Sequence, residues 1–233
     1  GVIRLSGGAG TTINTGVLDA SGDASSDGGS IHVTGNYVGL GGDATLTADG
    51  GQNGGQILVG GGYQGSDADV QNAERTYVGS DVNISANAGT DGDGGEVIVW
   101  GNDVTRFYGD ISATGGTSSG NGGFAEVSGL NTLGFFGNVD LSAANGAFGM
   151  LLLDPTTLEI LGGDGGGVLA LDASLPEIDF AEGAATDFVS AEAIEAQAAD
   201  VVLRATDSIV VRDLDANGGD GDITMANDIS LTL

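Results

Sequence analysis

The sequence predicts an all-β solenoid, a single-stranded parallel β-helix in which one ribbon winds through stacked coils. Three observations carry this: two short strand phrases recur along the chain, both alternate apolar and polar residues, and glycine closes them. Helical periodicity is almost absent from the 233 residues, of which 46 are Gly and only 2 are Pro.

The first phrase reads Gly28-Gly-Ser-Ile-His-Val-Thr-Gly35, Gly54-Gly-Gln-Ile-Leu-Val-Gly-Gly61, Gly94-Gly-Glu-Val-Ile-Val-Trp-Gly101 and Gly122-Gly-Phe-Ala-Glu-Val-Ser-Gly129. A degenerate copy opens the chain, and another reads Phe148-Gly-Met-Leu-Leu-Leu-Asp154. Its reference positions, Ile3, Ile31, Ile57, Val97, Ala125 and Leu151, are separated by 28, 26, 40, 28 and 26 residues, a period of about 27 with one insertion. The second phrase is apolar, small polar, Ala: Leu18-Asp-Ala20, Leu46-Thr-Ala48, Ile84-Ser-Ala86, Ile111-Ser-Ala113 and Leu141-Ser-Ala143. Period-two patterning, Val and Ile enrichment, and bounding Gly, Asn and Asp mark both phrases as strands between tight turns.

A short strand with one apolar face cannot bury it alone, so each repeat must stack on the next. Stacking is expected to place the reference positions in one interior column, with Leu5, Val33, Val59, Val99, Val127 and Leu153 beside them. The Ala residues mark a tight interior corner, and Asp19, Thr47, Ser85, Ser112 and Ser142 form a polar ladder outside it. The Gly pairs are expected to supply positive φ at the corners.

The coils of about 27 residues are assigned to 1–161. Residues 62–76 form an insertion, expected to fold as a lid over the outward apolar residues Leu58, Ile98 and Trp100. The alternative makes Trp100 an adhesive contact. A second break, 162–200, is a Gly-rich and acidic excursion ending in a short helix N-capped by Ser190. The remaining 201–233 reads as continuing coils of about 20 residues, from the Leu203–Ile223 and Ile209–Ile229 spacings. The first residues enter the repeat uncapped and the last stop mid-strand, so the polypeptide is expected to continue at both ends or the rods to stack head to tail.

Leu, Ile, Val and Phe supply about a quarter of the chain, enough for a core despite a formal charge of −28. That charge, with 5 Arg and no Lys, argues against nucleic acid and anionic membranes as partners. Cys is absent, which excludes disulfides and thiol chemistry. No apolar run is long enough to span a bilayer.

Chemistry has few footholds. The carboxylate pairs Asp91 and Asp93, Asp154 and Asp164, and Asp220 and Asp222 lie mostly in Gly-rich turns, where Asp bonds the local backbone. A glycan lyase would also want a cation beside the pair, and the Arg residues are dispersed. Calcium is considered because Asp-Gly turns offer oxygen ligands, but Gly163-Asp-Gly-Gly166 and Gly219-Asp-Gly-Asp222 are weak matches to a tandem calcium repeat. The single His, His32, sits at an outward strand position and cannot build a metal site alone. No catalytic, cofactor-binding or metal-binding residue is assigned.

The stretch from Gly61 to Pro155 resembles the filamentous-haemagglutinin-like exoproteins that Gram-negative bacteria export by two-partner secretion. The likeness rests on Gly61-Gly-Tyr-Gln-Gly65, Ala73-Glu-Arg-Thr-Tyr-Val78, Gly92-Asp-Gly-Gly-Glu-Val-Ile-Val-Trp100, Thr105-Arg-Phe-Tyr-Gly109, Gly120-Asn-Gly-Gly-Phe-Ala-Glu-Val-Ser-Gly129 and Leu151-Leu-Leu-Asp-Pro155. The run from Ala193 through Val210 is similar to later repeats of that family. The resemblance implies a right-handed parallel β-helix, passage through an outer-membrane partner transporter, and display on the bacterial surface without catalytic residues. The expected function is a structural and adhesive segment of a large secreted protein that attaches to cells, glycans or matrix. The alternatives are a self-assembling filament or sheath subunit whose open coil ends pair, and a polysaccharide-active enzyme.

Overall fold

The structure is a computed structural model that describes residues 1–161, 189–190, 193–194, 196–212 and 230–232. Each of the first five repeats contributes one strand to each of three sheets. These are β1 (Val2–Ser6), β2 (Thr11–Asn14) and β3 (Val17–Asp19), then β4 (Ser30–Thr34), β5 (Tyr37–Leu40) and β6 (Thr45–Thr47). Next come β7 (Gln56–Val59), β8 (Arg75–Val78) and β9 (Asn83–Ser85), followed by β10 (Glu96–Gly101), β11 (Val104–Phe107) and β12 (Asp110–Ser112). The fifth set is β13 (Phe124–Gly129), β14 (Thr132–Phe135) and β15 (Asn138–Asp140). Beyond it lie β16 (Met150–Leu153), β17 (Thr157–Leu161), β18 (Val189–Ser190), β19 (Asp200–Arg204), β20 (Ser208–Arg212) and β21 (Ser230–Thr232).

Every strand pairing among the described residues is parallel. The first sheet has the order β1-β4-β7-β10-β13-β16-β19-β21, the second β2-β5-β8-β11-β14-β18-β17-β20, and the third β15-β12-β9-β6-β3. Through the first five repeats chain neighbours thus lie in different sheets, while strands one repeat apart are hydrogen-bonded; β17 and β18 are consecutive strands that pair within the second sheet.

The register follows the columns expected from the sequence. Ile3 pairs with Ile31, Ile31 with Ile57, Ile57 with Val97, Val97 with Ala125 and Ala125 with Leu151. Leu5, Val33, Val59, Val99 and Val127 form the adjacent column. With the apolar residues of the other two sheets they make one core, in which Phe107 and Phe135 stack with ring centroids 5.6 Å apart. Polar residues inside find backbone partners: the hydroxyls of Thr12, Thr76 and Thr105 donate to the carbonyls of Thr34, Trp100 and Ser128.

Several expectations need correction or limits. The last copy of the second phrase is displaced by two residues: Ile111 pairs with Val139 and Ser112 with Asp140, so Leu141, not Ala143, follows Ala113 in the corner, and Asp140, not Ser142, continues the polar ladder. A slip of two preserves the inward face, which is why alternation alone does not detect it.

The Gly pairs do not serve positive φ. Positive φ occurs at Gly8, Gly42, Gly60, Gly65, Gly92 and Gly120, and at none of the pairs Gly28-Gly29, Gly54-Gly55, Gly94-Gly95 and Gly122-Gly123. They are required by close approach instead: a Cβ on Gly28 would lie 1.9 Å from the Ala48 carbonyl oxygen, and one on Gly95 2.1 Å from that of Gly55.

The insertion ends before residue 76, since Arg75 and Thr76 are already in β8 and pair with Val104 and Thr105. At the C-terminal end, Leu203 pairs with Leu231, 28 residues on, whereas Ile223 and Ile229 lie outside the described residues. Most of the 162–200 excursion, including Asp164 and residues 163–166, also lies outside them, as does 219–222. Of the expected helix only Ala193 and Ile194 are described as helical. Just beyond, Gln197 is buried, accepts the Val139 N–H and donates to the Gly137 carbonyl, while Ala198 pairs with the free edge of β15. Polar atoms of the third sheet's terminal strand are thereby satisfied.

Candidate functional site

Alternation sends every second residue of the first sheet outward, and pairing aligns these into rows. One row runs Arg4, His32, Leu58, Ile98, Glu126, Leu152 and Val202. A neighbouring row pairs Trp100 with Ser128. The insertion crosses both. Val70 packs with Leu58, Ile98 and Trp100 in a second apolar cluster, with Phe124 at its margin. Tyr63 meets Phe124 edge to face with centroids 5.8 Å apart. A Cβ on Gly65 would lie 2.5 Å from the indole of Trp100, so this glycine both turns left-handed and lets the backbone rest on the ring. Trp100 Nε1 donates to Asn102 Oδ1 at 3.0 Å, and Trp100 is 3% exposed.

Beside this apolar contact lies a polar one. Gln64, the only non-glycine residue with positive φ among the described residues, closes the turn of the insertion at φ 51°. Its backbone N–H donates to Glu126 Oε2 at 2.9 Å, and its Nε2 donates to Asp154 Oδ2 at 2.9 Å. The same Asp154 oxygen forms an ion pair with Arg204 Nη1 at 3.4 Å. The Ser128 hydroxyl bonds the Glu126 carboxyl and accepts the Asp154 N–H at 3.1 Å. The second oxygens, Glu126 Oε1 and Asp154 Oδ1, are buried without a hydrogen-bond partner among the described residues. Glu126 is completely buried, and burial, with the Asp154 charge adding to it, pushes its carboxyl up to about 7.

The acids singled out in the sequence have other surroundings. Asp91 accepts the Ser119 hydroxyl and Asp93 the Asn121 N–H, both in the turn one repeat on. Asp93 belongs to a ladder: Asp27 Oδ1 accepts from Asn53, Asn53 Oδ1 from the Asp93 N–H, Asp93 Oδ1 from Asn121, and Asn121 Oδ1 from the Ala147 N–H. These side chains join successive turns, as backbone groups do within a sheet. Asp154 is grouped with Glu126 and Arg204. His32 Nδ1 lies 2.8 Å from Arg4 Nη1, and burial together with that cation holds its imidazole below the ordinary range. Among the described residues, no group of three or more His, Asp or Glu side chains stands together as a metal site.

Sequence reasoning missed Glu126 and Arg204. A signal existed for the first: Glu126 occupies the outward row that holds Leu58 and Ile98, under the insertion expected to cover them. A second feature is an open groove whose floor is the Gly rows and whose edge is formed by Ser30, Gln56, Glu96, Phe124 and Met150.

These features define an all-β protein of three stacked parallel sheets. No protein-family model matches the chain, and no curated protein matches it.

Proposed function

We propose that the chain is a right-handed, single-ribbon parallel β-helix serving as a non-catalytic structural and adhesive segment of a large secreted protein on the bacterial surface. The observation that carries this reading is the unbroken in-register column Ile3, Ile31, Ile57, Val97, Ala125, Leu151 and Val201, which gives a long scaffold whose flank repeats at about 4.8 Å. The described turn acids Asp27 and Asp93 support it, because both bond the next turn. The open groove beside Phe124 and Met150 offers the recognition surface. Partners on this reading are an outer-membrane transporter during export and a glycan, cell-surface or matrix receptor afterwards.

Labelled protein applied to a glycan array and to epithelial cells tests adhesion, with light scattering on the same samples. Saturable binding by monomeric protein supports it, and binding no greater than to an unrelated acidic protein sinks it. Fibre growth in place of binding favours the filament alternative.

A second reading has one observation in its favour. Glu126, Asp154 and Arg204 bring two carboxylates and a cation together, the set a polysaccharide-active β-helix enzyme would use. The insertion covers that set, so catalysis would require it to lift. Release of reducing ends from a polysaccharide panel by wild type, abolished in E126Q, is the result that would favour this reading.

A further inference from the structure

We propose that Gln64 is a proton-controlled clasp: the insertion stays shut over Trp100 while Glu126 is neutral and loosens when Glu126 ionises. One residue, held in the left-handed conformation that strains a non-glycine residue, grips two carboxylates of the underlying sheet through its backbone N–H and its side-chain amide. The rest of the insertion closes apolar surface through Val70, Tyr63 and Gly65. The Gln64 N–H, the Ser128 hydroxyl and Arg204 each favour the ionised carboxylate, but burial outweighs them, so closure depends on pH through the desolvated carboxyl under the clasp and not through the Gln64 bond itself.

Glu126 cannot be ionised cheaply where it stands. It is completely buried, one of its oxygens has no partner among the described residues, and Asp154 adds a second negative charge nearby. Lifting the insertion would hydrate the carboxyl and return it towards the ordinary glutamate range. The closed state thus binds a proton more tightly than the open one, and raising the pH from the ordinary glutamate value towards about 7 shifts the balance towards opening, with no further shift above it.

The other charged or titratable groups near the seam are Asp154 and Arg204 below it, Tyr63 and Asp67 in the insertion, Glu96 on β10, and the Arg4–His32 pair further along the face. Of these, His32 is an imidazole that burial and Arg4 hold below the ordinary histidine range. Its carboxylate neighbour is Asp67, so it needs a separate control.

Trp100 is the only Trp of the chain and lies under the clasp, so it reports opening directly. Acrylamide quenching of its fluorescence is measured from acid to alkaline pH, with far-UV circular dichroism recording the sheet. Wild type is expected to become at least about tenfold more accessible across the step, since each unit separating the closed-state and open-state pKa is worth tenfold in the equilibrium. E126Q should stay protected throughout, and H32N should keep the wild-type step. A flat wild-type profile, a step retained in E126Q or a step lost in H32N overturns the proposal. Should E126Q fail to fold, amide exchange in wild type decides: exchange of residues 62–72 that rises relative to β10 as the pH is raised from acid towards 7 supports it, and equal behaviour of the two segments overturns it.

Discussion

At the scale of single residues, two positions carry costs that the fold must offset. Glu126 is buried with its pKa raised, so the native state binds its proton more tightly than the unfolded chain does. Stability contributed this way is present at acidic pH and falls as pH rises from the ordinary glutamate value towards 7. E126Q should therefore raise the denaturation free energy at pH 8 by about 1–3 kcal/mol and change it little at pH 5, measured by chemical unfolding at both. The second position is any Gly of the paired rows. G95A drives a Cβ to 2.1 Å from backbone oxygen that cannot move without shifting the neighbouring repeat, and should cost about 3 kcal/mol or more. G16A, where a Cβ meets nothing within 4 Å, should be neutral or slightly stabilising by denaturant melts.

At the scale of elements, the turns are organised by the alternation of Asp and Asn. Asp27, Asn53, Asp93 and Asn121 stack one above another, so each carboxylate has an amide as its neighbour instead of a second charge. N53D would put three carboxylates in consecutive turns and remove the amide bond to Asp27. It should destabilise by about 1–2 kcal/mol at low salt, with much of the loss recovered at high salt, read from melting temperatures at two ionic strengths. Much of the element pattern was legible. Alternation fixed which face of β1, β4, β7, β10 and β13 turns inward, and the spacing of Gly pairs fixed which residues share a column. The displaced Leu141 was not legible, because a shift of two obeys the same alternation and only the count from Ile111 to Val139 separates the two registers. The cause of the Gly rows was hidden for a different reason: sequence shows that a side chain is missing there, not whether a torsion or a neighbour forbids it. Glu126 and Arg204 are 78 residues apart in the chain, and their meeting at Asp154 depends on β16 pairing with β19 across a long excursion.

At the scale of the whole molecule, the stacked sheets make a surface that repeats in one direction, and the insertion interrupts it once. Replacing residues 62–72 by a short turn would uncover Leu58, Ile98 and Trp100 and leave Glu126 and Asp154 without Gln64. The variant should keep its far-UV signal, shift Trp emission to longer wavelength and self-associate in light scattering. Unchanged emission would mean that Trp100 is covered by something else.

The Asn ladder also bears on chemical ageing. Asn53 and Asn121 each precede Gly, the pairing most prone to lose ammonia when the glycine nitrogen attacks the side-chain amide carbon. In the folded chain those nitrogens are occupied, Gly54 N–H donating to the Asp93 carbonyl and Gly122 N–H to that of Ala147. Intact protein should therefore resist deamidation that a denatured sample undergoes at both sites, a difference that peptide mass mapping after storage would reveal. Any molecule that does age at Asn53 gains a carboxylate between Asp27 and Asp93, so one lapse in folding would weaken the turn stack that shields the next asparagine.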